Sequence, residues 1–369
     1  MKDTTFYWVA LNLVPGIGRI TFRKLLQRFK HPKAVFSASR KELSMIKGLK
    51  ENSLEHIYNL KIEQKAEKEI KKAAANNYTI ITWSDSSYPP YLREIPDPPL
   101  VLYVYGELST DDESSIAIVG TRAPSTYGKL MAEKLSLELA KRGLTIVSGL
   151  ARGIDTAAHR SALKADGRTI AVKGCGLDVH YPPENKKLSD KIAQRGALIS
   201  ELPLNTPPAS GNFYTRNRII SGLSLGTVVV EASEKSGALI TANHTLDQNR
   251  ELFAVPGNIT SPKSLGCNYL IKRGAKLVQC WQDVVEELPP KVKDQLLKES
   301  PNDNQEEIAP MSEEEKAILN LLSPDKPTHI DTLTDTLKMN QNLLLSKLLS
   351  LEIKDSIVQL PGKMFVRKI

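Results

Sequence analysis

The sequence predicts an α/β protein: a doubly wound, mostly parallel sheet, with a small helical domain before it and a winged helix after it. Three observations predict this. Between residues 115 and 279, short β-branched runs alternate with helical segments, the pattern of repeated strand–helix units. Before about residue 60 there are only short amphipathic helical patterns. After a polar stretch at 288–310, three helical patterns precede two short strand patterns around Pro361-Gly362-Lys363.

The helical domain is assigned to 1–72. Within it, LNLVPGIGRITFRKLLQRF at 11–29 sets Pro15-Gly16-Ile17-Gly18 between two helical patterns. This is similar to a helix-hairpin-helix, in which hairpin N–H groups approach a phosphate and Arg19 and Arg23 add charge. A degraded copy follows at Ile46-Lys47-Gly48-Leu49-Lys50. A packing or dimerisation module that keeps the turn for its shape is the other reading, and both stand. The α/β domain is assigned to 73–288. Pro89, Pro90, Pro96, Pro98 and Pro99 exclude a long helix near its start, where 78–83 and 101–105 read as flanking strands. Strands follow at 116–119, 145–148, 169–172, 197–200, 227–230, 252–255 and 276–278. The intervening helices fall at 127–142, 155–164, 185–195, 217–223, 238–249 and 264–273. Residues 289–310 read as a linker, and 311–369 as the winged helix. Its third helix, QNLLLSKLLSL, offers only Lys347 as a cation, so it reads as a protein-contact module over a duplex reader.

Fifty Lys and Arg against 42 Asp and Glu give a net charge of +8, which favours polyanions without specifying one. The apolar runs are too short to span a bilayer, and no secretory pattern opens the chain. Cys175, Cys267 and Cys280 are too scattered for a disulfide framework or a zinc site, and the six histidines lack zinc-ligand spacing. A cytoplasmic protein with no membrane partner, no metal and no cofactor is expected. Asp155 and His159 share a helix face and read as a cap with a packed histidine.

The chemistry is expected at the carboxyl ends of the strands, where such sheets hold ligands. One loop presents Gly120, Thr121, Arg122 and Ser125 before a helix, and another presents Ser148, Gly149, Ala151, Arg152 and Gly153. Both are small-residue turns opening onto helix amino ends, where free N–H groups and the helix dipole favour an anion. A third segment brings Phe213, Arg216, Asn217 and Arg218, and a fourth Lys235, Ser236 and Gly237. Several phosphate-sized sites with cations and aromatics along one sheet edge suit a nucleic-acid backbone better than a single nucleotide; stacking adds about 1–3 kcal/mol per base. There is no P-loop sequence and no G-x-G-x-x-G, and no nucleophile, base and orienting group converge, so turnover is not expected. The rival is a nucleotide N-glycosidase of the "Lonely Guy"/lysine-decarboxylase-like type, whose P-G-G-x-G-T-x-x-E is only partly matched by Gly226, Thr227 and Glu231.

These loops closely resemble the DNA-processing protein A (DprA/Smf) family. The matching stretches include YPPYLREIPDPPLVLYVYG at 88–106, IVGTRAPSTYG at 118–128, VSGLARGIDTAAHRSAL at 147–163, GCGLDVHYPPENKKL at 174–188, SELPLNTPP at 200–208, RNRIISGLS at 216–224, VVEASEKSGALIT at 229–241, FAVPGNI at 253–259 and GCNYLIKRGA at 266–275. The resemblance covers nearly all of the α/β domain. It implies a Rossmann-like domain that binds single-stranded DNA, dimerises and helps load the RecA recombinase in natural transformation. Three positions depart from the family: Lys173 stands where an apolar residue or glycine is expected, Tyr214 where proline follows phenylalanine, and Asn249 where glycine precedes arginine.

Overall fold

The computed structural model describes residues 4–298, 311–354 and 356–368. The chain opens with helices α1 (Thr4–Asn12), α2 (Arg19–Phe29), α3 (Pro32–Ser37), α4 (Arg40–Ser44), α5 (Glu51–Ile57) and α6 (Leu60–Ala75). It continues through β1 (Tyr78–Thr82), α7 (Pro90–Glu94), β2 (Val101–Gly106), β3 (Ser115–Val119), α8 (Thr126–Lys141), β4 (Thr145–Ser148) and α9 (Ile154–Lys164). Then come β5 (Thr169–Val172), α10 (Lys186–Arg195), β6 (Ala197–Ser200), α11 (Ser210–Leu223), β7 (Gly226–Val229) and α12 (Ala238–Asp247). Last are β8 (Glu251–Ala254), α13 (Leu265–Lys272), β9 (Lys276–Leu277), α14 (Trp281–Val285) and α15 (Pro290–Lys298).

The nine strands form one sheet in the order β1-β2-β6-β5-β4-β3-β7-β8-β9. The seven from β6 to β9 are parallel, while β1–β2 and β2–β6 pair antiparallel. Strands β4 to β6 are laid down on one side of β3, and β7 to β9 on the other, so the order reverses between β3 and β7. Crossover helices diverge there and leave a crevice at the strand carboxyl ends. Strand alternation decides which core each residue joins. Ile116 and Ile118 of β3 enter a layer with Met131, Leu135 and Ala158 of α8 and α9. Ala117 and Val119 enter the opposite layer with Ile219, Ile220 and Ala242 of α11 and α12.

The N-terminal helices are not a separate body. Trp8, Leu11 and Ile62 belong to one core with Val101, Tyr103 and Leu198 of the sheet. The hairpin between α1 and α2 turns at Gly16, φ +81°, where a Cβ would stand 2.5 Å from Ser53 Oγ. Arg19 pairs with Asp97 at 2.7 Å and Arg23 donates to the Pro96 carbonyl. Both hairpin arginines thus fasten the helices to the proline loop before β2, which favours the packing reading over a phosphate grip.

The segment read as a linker from 289 begins instead with α15, whose Leu296 is buried in the α8/α9 layer. A hydrophobic Val292 and Leu296 at i, i+4 carried that signal; residues 299–310 lie outside the described residues. The C-terminal region builds α16 (Glu313–Leu321), β10 (Thr328–His329), α17 (Ile330–Leu337), α18 (Gln341–Ile353), β11 (Ile357–Leu360) and β12 (Met364–Arg367) around its own core of Ile318, Leu333, Leu344, Leu348 and Phe365. Three strands in the order β10-β12-β11 complete a winged helix, one more than the sequence pattern indicated. Lys347, the third helix's expected cation, donates to Ser312 Oγ at 3.0 Å and lies 3.4 Å from Glu314, while Leu345 and Leu349 are exposed.

Candidate nucleic-acid interface

A cleft of about 600 Å³ opens at the point where the strand order reverses. Of the expected residues, it brings together Gly120, Thr121, Arg122, Ala151, Phe213, Arg216, Asn217, Ser236 and Gly237. Gly149 and Arg152 line a smaller recess that shares Arg122, Phe213 and Arg216 with it. Ser125, Ser148, Gly153, Arg218 and Lys235 line neither.

Carboxylates of the chain itself engage N–H groups expected to be free, at the amino end of α8 and in the loop before α9, although α9 has no side-chain cap. Glu231, buried at the end of β7, accepts from Ser125 N at 2.8 Å and from Ser125 Oγ at 2.7 Å, and Ser125 Oγ in turn caps Gly128 N. The Asp155 carboxylate accepts from Gly149 N at 3.1 Å and Ala151 N at 3.3 Å. Ser148 Oγ donates to the Ile118 carbonyl, tying β4 to β3. Gly153, φ +80°, is where the second loop crosses the first, and a Cβ there would meet the Thr121 carbonyl at 2.4 Å. These residues build the loops, and the N–H groups of Ser125, Gly128, Gly149 and Ala151 are engaged within the chain.

The third segment is not a loop. Residues 210–223 form α11, so the helix expected from 217 starts seven residues earlier. Pro207-Pro208 followed by Ala-Ser-Gly hid this start, because that composition reads as a turn. Helical spacing then separates residues that a loop would have kept together. Arg218 turns away from the cleft: its Nη1 and Nη2 donate to Glu201 at 2.9 and 2.7 Å and its Nε to Asp97 at 3.1 Å. It is a buried structural ion pair, and this removes it from the cleft-lining set. Arg216 points beneath the cleft, donating from Nη1 to the Gly149 carbonyl at 2.6 Å and to the Val172 carbonyl. Burial pulls its pKa down to about 10, offset by Asp155 and reinforced by Arg122, so it stays charged at neutral pH.

Phe213 stands between the two cations. Arg122 lies 5.6 Å and Arg216 5.9 Å from its ring centroid, and the Tyr181 ring packs at 5.4 Å. Gly174 makes room for this ring, since a Cβ there would come within 2.5 Å of it. Arg122 itself is exposed and takes part in no ion pair among the described residues. On the far wall, α11 has no side-chain cap and its amino end at Ser210 lines the cleft, while at Gly237 the first N–H of α12, on Ala238, is taken by Ser236 Oγ at 3.3 Å. Asn217 Nδ2 bridges them by donating to the Gly237 carbonyl at 3.3 Å. Lys235 is exposed on the loop leading to α12, and Arg152 is paired with Glu184. Sequence reasoning did not single out Ser210, Ser233 and Thr241, which line the cleft, while Tyr214, the second aromatic of its segment, stands half-exposed there. Tyr214 follows Phe213 directly and was the legible one.

The departures from the family pattern are accommodated. Lys173 is buried and donates to the Leu177 and Val179 carbonyls, and Asn249 adopts φ +53°, a conformation asparagine tolerates. The described residues contain no group of His, Cys, Asp and Glu able to hold a metal, and no helix long and apolar enough to cross a membrane.

Fold and cleft together define a Rossmann-like protein with an arginine-bearing cleft at the switch point and an appended winged helix. The family model of DNA recombination-mediator protein A matches residues 79–289, and that of the DprA winged helix domain matches 302–363. The chain belongs to the DprA/Smf family. Protein Smf of Synechocystis sp. is 40% identical over 276 residues, 74% of this chain and 69% of that protein. DNA processing protein DprA of Bacillus subtilis is 47% identical over 207 residues, 56% of this chain and 70% of that one. The X-ray structure of DprA from Streptococcus pneumoniae is similar with a TM-score of 0.69 at 36% identity, covering 78% of this chain and 99% of that one. A DprA structure from Helicobacter pylori, described for its unique single-stranded DNA binding mode, has a TM-score of 0.52 at 32% identity, covering 60% of this chain and 96% of that one. The family is not that of the nucleotide N-glycosidases, and Glu231, which that alternative would have needed, is engaged by Ser125.

Proposed function

We propose that this protein binds single-stranded DNA in the switch-point cleft, protects incoming DNA and helps load a RecA-type recombinase during natural transformation, acting as a cytoplasmic homodimer. The observation that carries the DNA reading is Arg122, an exposed and unpaired cation set over the Phe213 ring, with the charge of Arg216 fixed beneath. A planar guanidinium takes two phosphate oxygens at once, and the aromatic beside it offers a base a stacking surface. The uncapped amino end of α11 adds N–H donors on the opposite wall. The Helicobacter pylori relative supports the choice of single strands. The dimer reading draws support from the open edge at β9, where Leu277 and, on α13, Leu265 and Tyr269 are exposed.

The test is a gel-shift comparison of single- and double-stranded oligonucleotides at two salt concentrations. With roughly four to six phosphates held, log K falls with log salt at a slope of about −3 to −4. Binding indifferent to salt, or a strong preference for blunt duplex, would sink the reading. Sedimentation of the free protein and RecA filament formation on protein-coated DNA test the other two parts.

A further inference from the structure

On the face of the sheet between α9 and α10 lies a second groove, of about 660 Å³, in which five of the ten lining residues are cations. Arg160 and Lys164 stand one turn apart on α9, and Lys187, Lys191 and Arg195 form a straight i, i+4, i+8 stripe on α10. Only two carboxylates share the groove. Asp166 is taken by Arg195 at 2.5 Å, and Glu184 by Arg152. Arg160, Lys164, Lys187 and Lys191 are exposed and have no ion-pair partner among the described residues.

This arrangement works against the helices that carry it. Like charges at i, i+4 are destabilising. Lys187 also sits in the first turn of α10 beside Lys186, with no acidic residue there, at the helix end where the dipole disfavours cations. Lys164 and Arg195 suit the last turns of their helices, but Lys187 and Lys191 bring α10 no such gain, which points to a polyanion outside the chain. The groove is also joined to the cleft. Glu184 forms part of the groove, and its partner Arg152 lines the recess shared with Arg122, Phe213 and Arg216.

We infer that the α9–α10 groove is an extension of the DNA path: a single strand leaving the cleft past Arg152 lays its phosphates along Arg160, Lys164, Lys187 and Lys191. The inference rests on the cleft being the primary DNA site, and it assigns the groove to the polymer's backbone. Three ammonium point charges on flexible stems, with Arg160 beside them, follow phosphates and not bases, so the groove adds length-dependent affinity with little sequence preference.

The test compares two oligothymidylates, one of about 6 nucleotides that fills the cleft and one of about 25 that can continue past it. Lys187→Glu with Lys191→Glu is expected to leave the short strand's affinity within about twofold and to weaken the long strand by about tenfold or more. Its salt slope on the long strand becomes shallower by about 1.4, two phosphates at 0.7 each. Lys187→Arg with Lys191→Arg keeps the charge and retains long-strand binding, and matching melting curves show that both variants are folded. Unchanged long-strand affinity and slope in the Glu variant would overturn the inference while leaving the cleft intact. Loss of duplex binding alone would overturn it in favour of a duplex path. Failure of the unaltered protein to bind either strand, or normal binding by Arg122→Ala, would instead remove the cleft reading beneath it.

Discussion

Arg216 and Gly149 are fitted to each other: Nη1 of the arginine is 2.6 Å from the glycine carbonyl, and its guanidinium occupies the space a Cβ on Gly149 would need. Arg216→Ala leaves the Gly149 and Val172 carbonyls without their donor and Asp155 without its nearby positive charge. Breaking such a buried set costs about 3–5 kcal/mol. Arg216→Ala is therefore expected to melt many degrees lower and to lose DNA binding through that loss of structure. Calorimetry beside a binding titration checks it; a variant that melts normally yet fails to bind would make Arg216 a direct contact.

Arg122 is the opposite case. Arg122→Ala should weaken oligothymidylate binding about ten- to a hundredfold, the equivalent of about 1.5–3 kcal/mol for a hydrogen bond to a charged group. The melting temperature should hardly move, because no ion pair is broken. Arg122→Lys should recover only part of the affinity, since an ammonium lacks the two-pronged geometry. A marked drop in melting temperature with normal binding would assign Arg122 to the fold.

Phe213 tests the stacking component. Phe213→Leu keeps an apolar filler against Gly174 and Tyr181 but removes the aromatic face. The loss expected is about 1–3 kcal/mol of binding, with the salt slope unchanged because no phosphate contact goes with it. A shallower slope instead would mean that the ring acts by holding Arg122.

Acid should destabilise the sheet through His159. It is buried, its Nδ1 meets Thr169 Oγ1 at 2.7 Å, and Thr169 Oγ1 donates to the Ile146 carbonyl, so Nδ1 carries the proton and the ring is neutral. Burial, with the Arg216 charge, pushes its pKa down to about 3, against 6.5 for an unburied histidine. The neutral native ring contributes its full stability above pH 6.5, and that stability is lost progressively as the pH falls towards 3. At pH 5 the loss is about 2 kcal/mol relative to pH 8. Urea unfolding at the two pH values should show it, and His159→Gln should remove that component; identical pH profiles for the two proteins would refute the assignment.

The winged helix should be dispensable for strand binding. Lys347 is tied to Ser312 and Glu314, leaving α18 an apolar outer face. A protein ending at residue 298, with α15 kept, should bind oligothymidylate within a few-fold of the full chain. A loss above tenfold would place DNA contacts on the C-terminal region.

Much of this was legible in the chain, for reasons visible residue by residue. The β3 run Ser-Ile-Ala-Ile-Val alternates between two buried layers, so its place as a central strand could be read from β-branching and position alone. The turn at Gly153 was likewise written in residue type, whereas Asn249, read as the end of a helix, takes φ +53° beyond the end of α12 at Asp247. What could not be read was direction. Arg216 and Arg218 are two positions apart, and only helical periodicity sends one under the cleft and the other to Glu201. Nor could local sequence say that Ser125 would meet Glu231, 106 positions away, or that Arg19 would meet Asp97. Contacts of that range depend on the strand order, which periodicity does not encode.

Glu231 and Asp155 carry a consequence for ligand choice. In a doubly wound sheet the amino ends after the first strands are where a cofactor's pyrophosphate would dock, and here both ends hold a fixed negative charge from the chain. A free nucleotide seeking that seat would meet two resident carboxylates already bonded to Ser125, Gly149 and Ala151 N–H groups. The attractive surface has moved outward to Arg122 and the rim, where a ligand gains only by spanning several weak footholds together. On the DNA reading proposed above, the cleft would discriminate by valency, a chain of phosphates reaching several places at once where a monomer reaches one.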